Sequence, residues 1–214
     1  MDYSGYLASG LQSLGLTWSS EQLEQLHAYC REIELWNPRY NLVRAAGEEF
    51  VLRHVMDALA AVPVLQGLLP QGGRMADAGS GNGVPGIPLA VMLPEVEMVL
   101  IERSGKRSGF LRNAAAAAGL HPRVSVFEGD IRKAGFVCDA VTFRAVARLR
   151  DIYPLLAPLL KEHGVIAAYK GTDRRVAEEI AELTVESPEL AVRTADMVNP
   201  LMDGYRRQLV LISG

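Results

Sequence analysis

Residues 75–88 read MADAGSGNGVPGIP and contain the residues whose spacing says most about chemistry. Asp77 closes a short apolar run, Gly79, Gly81 and Gly83 follow at every second position, and a proline stands where a helix would begin. Glycine is needed where the chain takes positive φ or lets a ligand approach the backbone, and proline suits the first turn of a helix. The segment therefore predicts a strand, a tight turn and a helix, the arrangement at which open α/β sheets bind nucleotide-like cofactors.

The glycine spacing separates the known classes of such turns. A dinucleotide fingerprint needs Gly-x-Gly-x-x-Gly, but here the third glycine comes one position early and Val84 stands where that fingerprint requires glycine. A phosphate-binding P-loop is excluded, because no Gly-Lys-Ser/Thr follows. The tighter spacing, with Asp77 two residues before the first glycine, resembles motif I of class I S-adenosylmethionine-dependent methyltransferases. An acidic strand end suits that cofactor, which has no phosphate but carries a sulfonium charge.

Glu102 ends the next apolar run, 19 residues after Gly83. A carboxylate at this place can accept hydrogen bonds from both hydroxyls of a ribose. A glycine-rich turn followed by a solvated glutamate is the alternative, but it does not account for the strand, aspartate, helix and glutamate together. Cofactor binding is therefore predicted for Asp77, Gly79, Gly81, Gly83 and Glu102.

Two further strand ends carry candidate residues. Asp130 and Ile131 follow the third predicted strand and are placed to flank an adenine, with a helix N-cap as the alternative for Asp130. Arg144 ends the fourth strand within Phe-Arg-Ala-Val-Ala, where methyltransferases of adenine amines usually carry Asn/Asp-Pro-Pro-Tyr/Phe. This segment offers no obvious general base. Guanine N7 needs none, because it presents a lone pair without a proton, and an arginine can hold guanine O6 or a phosphate.

The composition suits one globular domain with a short accessory segment, since the 214 residues are 49% hydrophobic and 22% charged. Apolar stretches are too short to cross a bilayer, the N-terminus lacks signal-peptide features, and Cys30 and Cys138 stand alone. A cytoplasmic protein with reduced thiols and no membrane partner is therefore expected. The four histidines show no ligand spacing, so no metal is expected either.

A basic block lies behind the glycine loop, although the net charge of the chain is −3. Between Arg103 and Arg150, ten lysines and arginines stand against three acidic residues, a local net charge of +7. Such a block favours a phosphate-rich partner such as nucleic acid, with solvated helix faces as the alternative.

The periodicity changes character near residue 72. Before it, helices are predicted near 3–14, 19–38 and 48–61, the second opened by a Ser19–Gln22 capping box and stopped by Pro38. After it, apolar strand runs alternate with helices at 74–78, 97–102, 123–127, 138–143, 163–169, 190–198 and 207–213, the last two pairing as an antiparallel hairpin. We therefore expect an N-terminal helical extension, 1–72, packed on a doubly wound, mostly parallel α/β domain, 73–214.

Six motifs in one order strengthen this prediction: Trp36-Asn-x-x-Tyr-Asn-Leu42, Arg53-His54-x-x-Asp57, Asp77-Ala-Gly-Ser-Gly-Asn-Gly-Val-Pro-Gly-Ile-Pro88, Gly105-Lys-Arg107, Arg144-Ala145 and Lys170-Gly171. Over nearly its whole length the chain resembles the bacterial 16S ribosomal RNA guanine-N7 methyltransferases of the RsmG type, once called glucose-inhibited division protein B. The resemblance implies a class I, Rossmann-like seven-stranded sheet, S-adenosylmethionine as methyl donor, and one guanosine in the decoding-region loop of 16S rRNA as acceptor.

The resemblance also implies roles for individual residues. Cofactor contacts fall on Gly79, Val84, Asp130, Ile131 and Arg144, and catalytic roles on Arg144 and Lys170. The residues that would line the substrate side of the site, or support it, are Asn37, Asn41, His54, Lys106, Arg107 and Lys170. Ordinary capping or packing roles are the alternative for each. The expected partner is 16S rRNA or the small ribosomal subunit, and a monomer is expected. A non-catalytic RNA-binding or division-control module is the main alternative; a nicotinamide oxidoreductase would need the missing dinucleotide spacing.

Overall fold

The computed structural model describes residues 1–201 and 206–214, and the strands of this part form one sheet. They are β1 Arg74–Ala78, β2 Glu97–Glu102, β3 Val124–Glu128, β4 Cys138–Arg144, β5 Leu160–Gly171, β6 Ala191–Met197 and β7 Arg207–Ser213. The order is β3-β2-β1-β4-β5-β7-β6, with β1 to β5 parallel and β7 antiparallel to both β5 and β6. The predicted fold class and closing hairpin are confirmed.

Helices cover both faces of the sheet, so its central strands are buried along most of their length. In β2, for example, the side chains from Met98 to Ile101 are all buried. The connecting helices are α6 Gly86–Met92, α7 Gly105–Ala117, α8 Leu149–Leu156 and α9 Arg174–Glu186, with 3-10 turns at Ile131–Lys133 and Ala157–Leu159. One apolar cluster joins one sheet face to α8 and α9, and a second joins the other face to α6, α7 and the N-terminal helices.

The N-terminal helices are α1 Ser4–Ser13, α2 Ser20–Tyr40, α3 Gly47–Phe50, α4 Asp57–Leu59 and α5 Val62–Gln66, with a π-helical turn, Val51–Met56, between α3 and α4. The predicted capping box opens α2, because the Ser19 hydroxyl accepts from the Gln22 N–H and the Gln22 side chain accepts from the Ser19 N–H. No helix of the described residues is long and apolar enough to cross a membrane.

One helix end differs from the prediction. Pro38 does not stop α2, which continues to Tyr40 and ends at Asn41 in the left-handed conformation, φ 49°. A proline removes one helical N–H, but packing of Trp36 and Tyr40 against the core holds the last turn in place.

The predicted segment 48–61 is one helical run from 47 to 59, interrupted by the π-turn. Its predicted inward residues, Phe50, Val51, Val55 and Leu59, are all buried. Because the helical residues before 70 share one core cluster with the sheet, the division at 72/73 stays a prediction.

Candidate active site

The glycine loop leaves the carboxyl end of β1 and leads directly into α6. Gly79, Gly81 and Gly83 have φ values of 73°, 55° and 94°, a region that favours glycine. A Cβ added at Gly83 would lie 2.7 Å from Cδ1 of Ile87, so the close packing of the loop on α6 also needs glycine. All three predicted glycines therefore serve the backbone path; Gly79 and Gly81 are accessible to a ligand, whereas Gly83 is buried.

Glu102 fastens this loop to the end of β2. Its Oε2 accepts a hydrogen bond from the Gly81 N–H at 3.0 Å, and its Oε1 accepts from the Ser104 N–H at 2.8 Å. The residue is 5% exposed. Because each carboxylate oxygen has two lone pairs, the oriented carboxylate keeps acceptor capacity for a further donor at the loop.

Asp77 lies beneath the loop rather than on its surface. The residue is 1% exposed, and its Oδ2 accepts from the Gly86 N–H at 3.1 Å, at the start of α6. Burial raises the pKa of this carboxyl to about 7. Asp77 therefore lies under the loop as a carboxyl group that can be protonated or ionised near neutral pH. Its hydrogen bond to Gly86 stabilises the turn into α6.

Asp130 and Ile131 lie at the next strand end, after β3. The Asp130 carboxylate caps the short 3-10 turn, accepting from the Arg132 N–H at 3.0 Å, and it pairs with the Arg132 guanidinium. These bonds hold its pKa well below the ordinary value. The Asp130 side chain therefore has the helix N-cap role that the sequence offered as an alternative. Ile131 beside it is half-buried.

Arg144 ends β4, the neighbour of β1, and belongs to a buried cluster of charged groups. Its Nη2 lies 2.9 Å from Nδ1 of His54, and its Nη1 lies 3.1 Å from Oδ2 of Asp57, outside hydrogen-bonding geometry. Asp57 is 1% exposed and also pairs through both oxygens with Arg207, at 3.0 and 3.1 Å. Arg144 is therefore held firmly, with 16% of its side chain exposed.

The segment after Arg144 lies against the glycine loop. Ala145 takes a left-handed φ of 56°, and a Cβ added at Gly79 would lie 3.0 Å from Cγ2 of Val146. Lys170 holds this segment from the end of β5, because its Nζ donates to the Ala147 carbonyl at 3.2 Å.

Lys170 is itself paired with Glu179, 2.7 Å away, and its side chain is 13% exposed. The Glu179 carboxylate in turn accepts from the Leu149 N–H at 3.0 Å. The ammonium group predicted to be catalytic is thus engaged in fixing the loop that follows Arg144.

The predicted substrate-side residues of α2 mostly brace its end. The Asn37 side chain donates to the Val43 carbonyl and accepts from the Val43 N–H, at 2.8 and 2.9 Å. Asn41 supplies the left-handed helix end, and its N–H donates to the Asn37 carbonyl at 2.8 Å. Both asparagines therefore shape the turn that follows the helix.

Lys106 and Arg107 are exposed on the first turn of α7. The Lys106 ammonium lies 4.5 Å from the centroid of the Tyr40 ring and 3.3 Å from the Arg39 carbonyl oxygen. The start of α7 therefore meets the end of α2. The cationic groups of Lys106 on α7 and Arg39 on α2 are thereby placed around one ring, that of Tyr40.

Comparison with known proteins identifies the family to which this architecture belongs. A family model described as rRNA small subunit methyltransferase G matches residues 22–207. The chain belongs to this family. Curated relatives carry the name Ribosomal RNA small subunit methyltransferase G, among them the two described next. The Borrelia turicatae protein is 31% identical over 204 residues, 94% of this chain and 95% of the relative. The protein of Neisseria meningitidis serogroup B, strain MC58, is 33% identical over 213 residues, 99% of each.

A solved structure supports the fold. An O-methyltransferase from Bacillus cereus, solved in complex with SAH, superposes with a TM-score of 0.62 at 17% identity and covers 98% of this chain and 99% of that chain. Membership of the methyltransferase G family confirms the predicted enzyme class, an S-adenosylmethionine-dependent methyltransferase. The nicotinamide oxidoreductase alternative is thereby set aside.

The residues of the loop fit the family's cofactor. Gly79 is exposed and Gly81 is half-buried at the strand end, and Glu102 is oriented beside them with unused acceptor capacity. The buried Asp77 can supply negative charge beneath a sulfonium or ammonium group. Val84 is 8% exposed, and its backbone N–H donates to Oδ1 of Asn82. This hydrogen bond stabilises the conformation of the loop.

Four residues that organise this methyltransferase site were assigned no role from the sequence, although Asp57 closes the Arg53-His54-x-x-Asp57 motif. Asp57 stands three residues after His54, and that helical spacing was a signal for a shared face. Arg207 and Tyr29 gave no comparable signal, because their partners lie 150 and 53 residues away in the sequence. Glu179 gave none either, because its partner Lys170 lies on a different element, at the end of β5. Tyr29, on α2, donates to the Asn82 carbonyl in the glycine loop at 2.9 Å.

Proposed function

We propose that this chain transfers a methyl group from S-adenosylmethionine to N7 of one guanine in the decoding-region loop of 16S rRNA. Its family membership supports a ribosomal RNA substrate, and the 16S rRNA or the small subunit is the partner that follows, in the cytoplasm of a bacterial cell. The observation that carries the choice of atom is the Arg144 cluster at the end of β4.

The chemistry of that cluster favours an acceptor that loses no proton. When bound, S-adenosylmethionine supplies a methyl group on a positively charged sulfur. Arg144 cannot take up a proton, and the Asp57 carboxylate beside it is already paired with two guanidinium groups. Burial and the neighbouring Arg144 lower the pKa of His54 to about 4, which makes its imidazole a weak base.

Guanine N7 suits such a site. Methylation of an exocyclic amine or a ribose hydroxyl releases a proton that a base must accept, whereas N7 offers an in-plane lone pair and releases none. Arg144 and the groups that contact it can therefore act by orienting the guanine in line with the methyl group. Such positioning can accelerate the reaction without a general base.

Cofactor binding is assigned to the loop and the strand ends around it. The backbone of residues 79–83 would hold the methionine portion, with Gly83 keeping the turn tight, and Glu102 would accept hydrogen bonds from the ribose hydroxyls. Ile131 would contact the adenine of the bound cofactor, and Asp130 would accept a hydrogen bond from it with the acceptor capacity that its pairing with Arg132 leaves.

On the RNA side we assign different tasks to the predicted residues. Lys106 and Arg107 contact phosphates, since they are exposed and basic on one surface. Asn37 and Asn41 brace the turn below that surface, and Lys170 positions the segment after Arg144 through Ala147. The protein acts as a monomer in this proposal.

Methyl transfer from labelled cofactor tests the proposal. Small subunits lacking the modification, naked 16S rRNA and 23S rRNA would each be incubated with the protein, and the RNA digested to nucleosides for mass spectrometry. We expect N7-methylguanosine from a 16S substrate only, and loss of transfer in Arg144→Ala with unchanged circular dichroism.

Two outcomes would contradict the proposal. Label in another nucleoside would refute the choice of N7. Tight binding of cofactor and RNA with no transfer to any substrate would instead support the non-catalytic RNA-binding module.

A further inference from the structure

Four side chains from three parts of the fold form a chain of contacts at the end of β4. Arg207, at the start of β7, pairs through Nε and Nη2 with both oxygens of Asp57. Asp57 faces Nη1 of Arg144, and Nη2 of Arg144 lies 2.9 Å from Nδ1 of His54. His54 thus lies at the outer end of this series, beyond the three charged groups.

These contacts define which ring nitrogen of His54 is protonated. A guanidinium group has donors but no acceptor, so Nδ1 of His54 must accept the hydrogen bond from Arg144. The neutral ring then carries its hydrogen on Nε2. Burial and Arg144 lower the pKa of His54 to about 4; Arg53 and Arg207 also lower it, and Asp57 opposes them. The ring is therefore neutral at the pH of a cell.

The Nε2–H group faces away from this series. One face of the His54 ring stacks on Phe50, with 5.5 Å between the ring centroids, so that face is covered. Within residues 1–201 and 206–214, no hydrogen bond ends on Nε2, and the atom is not sequestered from solvent. His54 consequently presents one neutral, oriented donor beside Arg144. The π-helical turn that contains it, Val51–Met56, is a distortion often found at functional sites.

We infer that the Nε2–H of His54 donates to O6 of the target guanine, and that Asp57 and Arg207 are positioning residues that fix this tautomer through Arg144. The identity of the base rests on the proposed function, whereas the fixed tautomer does not. Guanine presents O6 and N7 side by side, so a donor at O6 leaves the N7 lone pair for the methyl group. Adenine has an amino donor at the same place, so the arrangement also rejects adenine.

Nitrogen NMR of the imidazole rings tests the tautomer without any substrate. The four histidines of the ¹⁵N-labelled protein would be observed by long-range ¹H–¹⁵N correlation, with His54 assigned by its loss in His54→Gln. From about pH 5 to about pH 8 we expect a single Nε2–H form that does not titrate. An Nδ1–H form, or titration near the ordinary pKa of histidine, would overturn the inference.

A substrate lacking O6 tests the contact itself. Small-subunit RNA with 2-aminopurine at the target position keeps N7 but has no oxygen at C6. With the wild-type protein we expect kcat/KM to fall by about 10-fold on this RNA, the effect of one hydrogen bond. His54→Leu should lower kcat/KM on normal RNA by at least a similar factor and make it insensitive to 2-aminopurine. His54→Gln, whose amide can replace the donor, should restore part of the loss.

Independent effects of the two changes would overturn the contact. If His54→Leu remains as sensitive to 2-aminopurine as the wild type, another group holds O6. Because N7-methylguanosine is measured in the same reactions, failure of the proposed function would show as a different product, whereas failure of this inference would leave the product unchanged.

The positioning residues need a readout beyond activity. In Asp57→Asn we expect a mixture of His54 tautomers and a fall in kcat of about 10-fold or more with the KM for S-adenosylmethionine unchanged. Arg207→Gln is a second variant that tests the same positioning role, and it decides the question if the Asp57→Asn protein does not fold. Arg74→Gln, which breaks the Arg74–Glu97 ion pair at the amino ends of β1 and β2, is the matched control. A single Nε2–H tautomer in a folded Arg207→Gln protein would contradict the positioning role.

Discussion

The hydroxyl group of Tyr29 donates a hydrogen bond to the backbone carbonyl of Asn82, 2.9 Å away. Tyr29 belongs to α2 and is fully buried, whereas Asn82 lies in the glycine loop between two of its glycines. The N-terminal helices therefore do more than cover one sheet face, because they support the backbone that would hold the cofactor. This contact gives α2 a direct part in the architecture of the site.

Removal of that hydroxyl should weaken cofactor binding more than folding. In Tyr29→Phe we expect the Kd for S-adenosylmethionine to rise by about 5- to 10-fold, since one hydrogen bond contributes about 1 kcal/mol. Isothermal titration gives the Kd, and Tyr6→Phe on the exposed side of α1 is the control. An unchanged Kd together with a lower Tm would show that the contact serves stability alone.

Neutralisation of Glu102 should affect every ligand that contains the ribose. We expect Glu102→Gln to weaken S-adenosylmethionine and S-adenosylhomocysteine equally, by about 10- to 100-fold, because hydrogen bonds to a charged group contribute about 1.5–3 kcal/mol. Glu128→Gln is matched to it, since Glu128 stands opposite Glu102 on β3 but pairs with Arg112 at the surface. Equal losses in the two variants would argue against a ribose contact.

The buried Asp77 should make the stability of the protein depend on pH near neutrality. Its pKa is raised from 3.8 to about 7 by burial, so the folded state favours the protonated form. This contribution is fully present below about pH 4 and is lost as the pH rises through about 7. Urea unfolding at about pH 5 and about pH 8 should show the wild type losing stability relative to Asp77→Asn. Parallel pH curves for the two proteins would contradict the assignment.

The basic residues at the start of α7 should contribute mainly electrostatic affinity for RNA. We expect Lys106→Ala with Arg107→Ala to weaken binding to small-subunit RNA and to reduce the slope of log K against log salt by about 1 to 2. The matched control is Lys161→Ala with Arg193→Ala, which removes two charges elsewhere on the sheet. A similar reduction of the slope in the control would mean that net charge, rather than this surface, determines the affinity.

The parts of the fold that the sequence predicted are those encoded locally. The strand ends at Asp77, Glu102 and Arg144 follow from apolar runs broken by polar residues, and the glycine loop follows from its spacing. The continuation of α2 past Pro38 could not be predicted in this way. It depends on tertiary packing of Trp36 and Tyr40, which overrides the local preference of proline.

The interior of the site was less predictable for the same reason. The partners in the Asp57 cluster are 87 to 150 residues apart, so no sequence window contains both members of a pair. Lys170 was predicted from resemblance to act in catalysis, but its pairing with Glu179 was invisible in the sequence. Asp130 shows the opposite case, because its N-cap geometry was an open alternative that local chemistry already offered.

A map of N7-methylguanosine in 16S rRNA tests the central claim most directly. The RNA would be isolated from cells with the gene, without it, and with either the wild-type protein or Arg144→Ala restored, and N7-methylated positions located by reduction and strand cleavage. We expect one position in the decoding-region loop to lose its methyl group on deletion and to regain it only with the wild-type protein. An unchanged map after deletion, or full restoration by Arg144→Ala, would contradict this account.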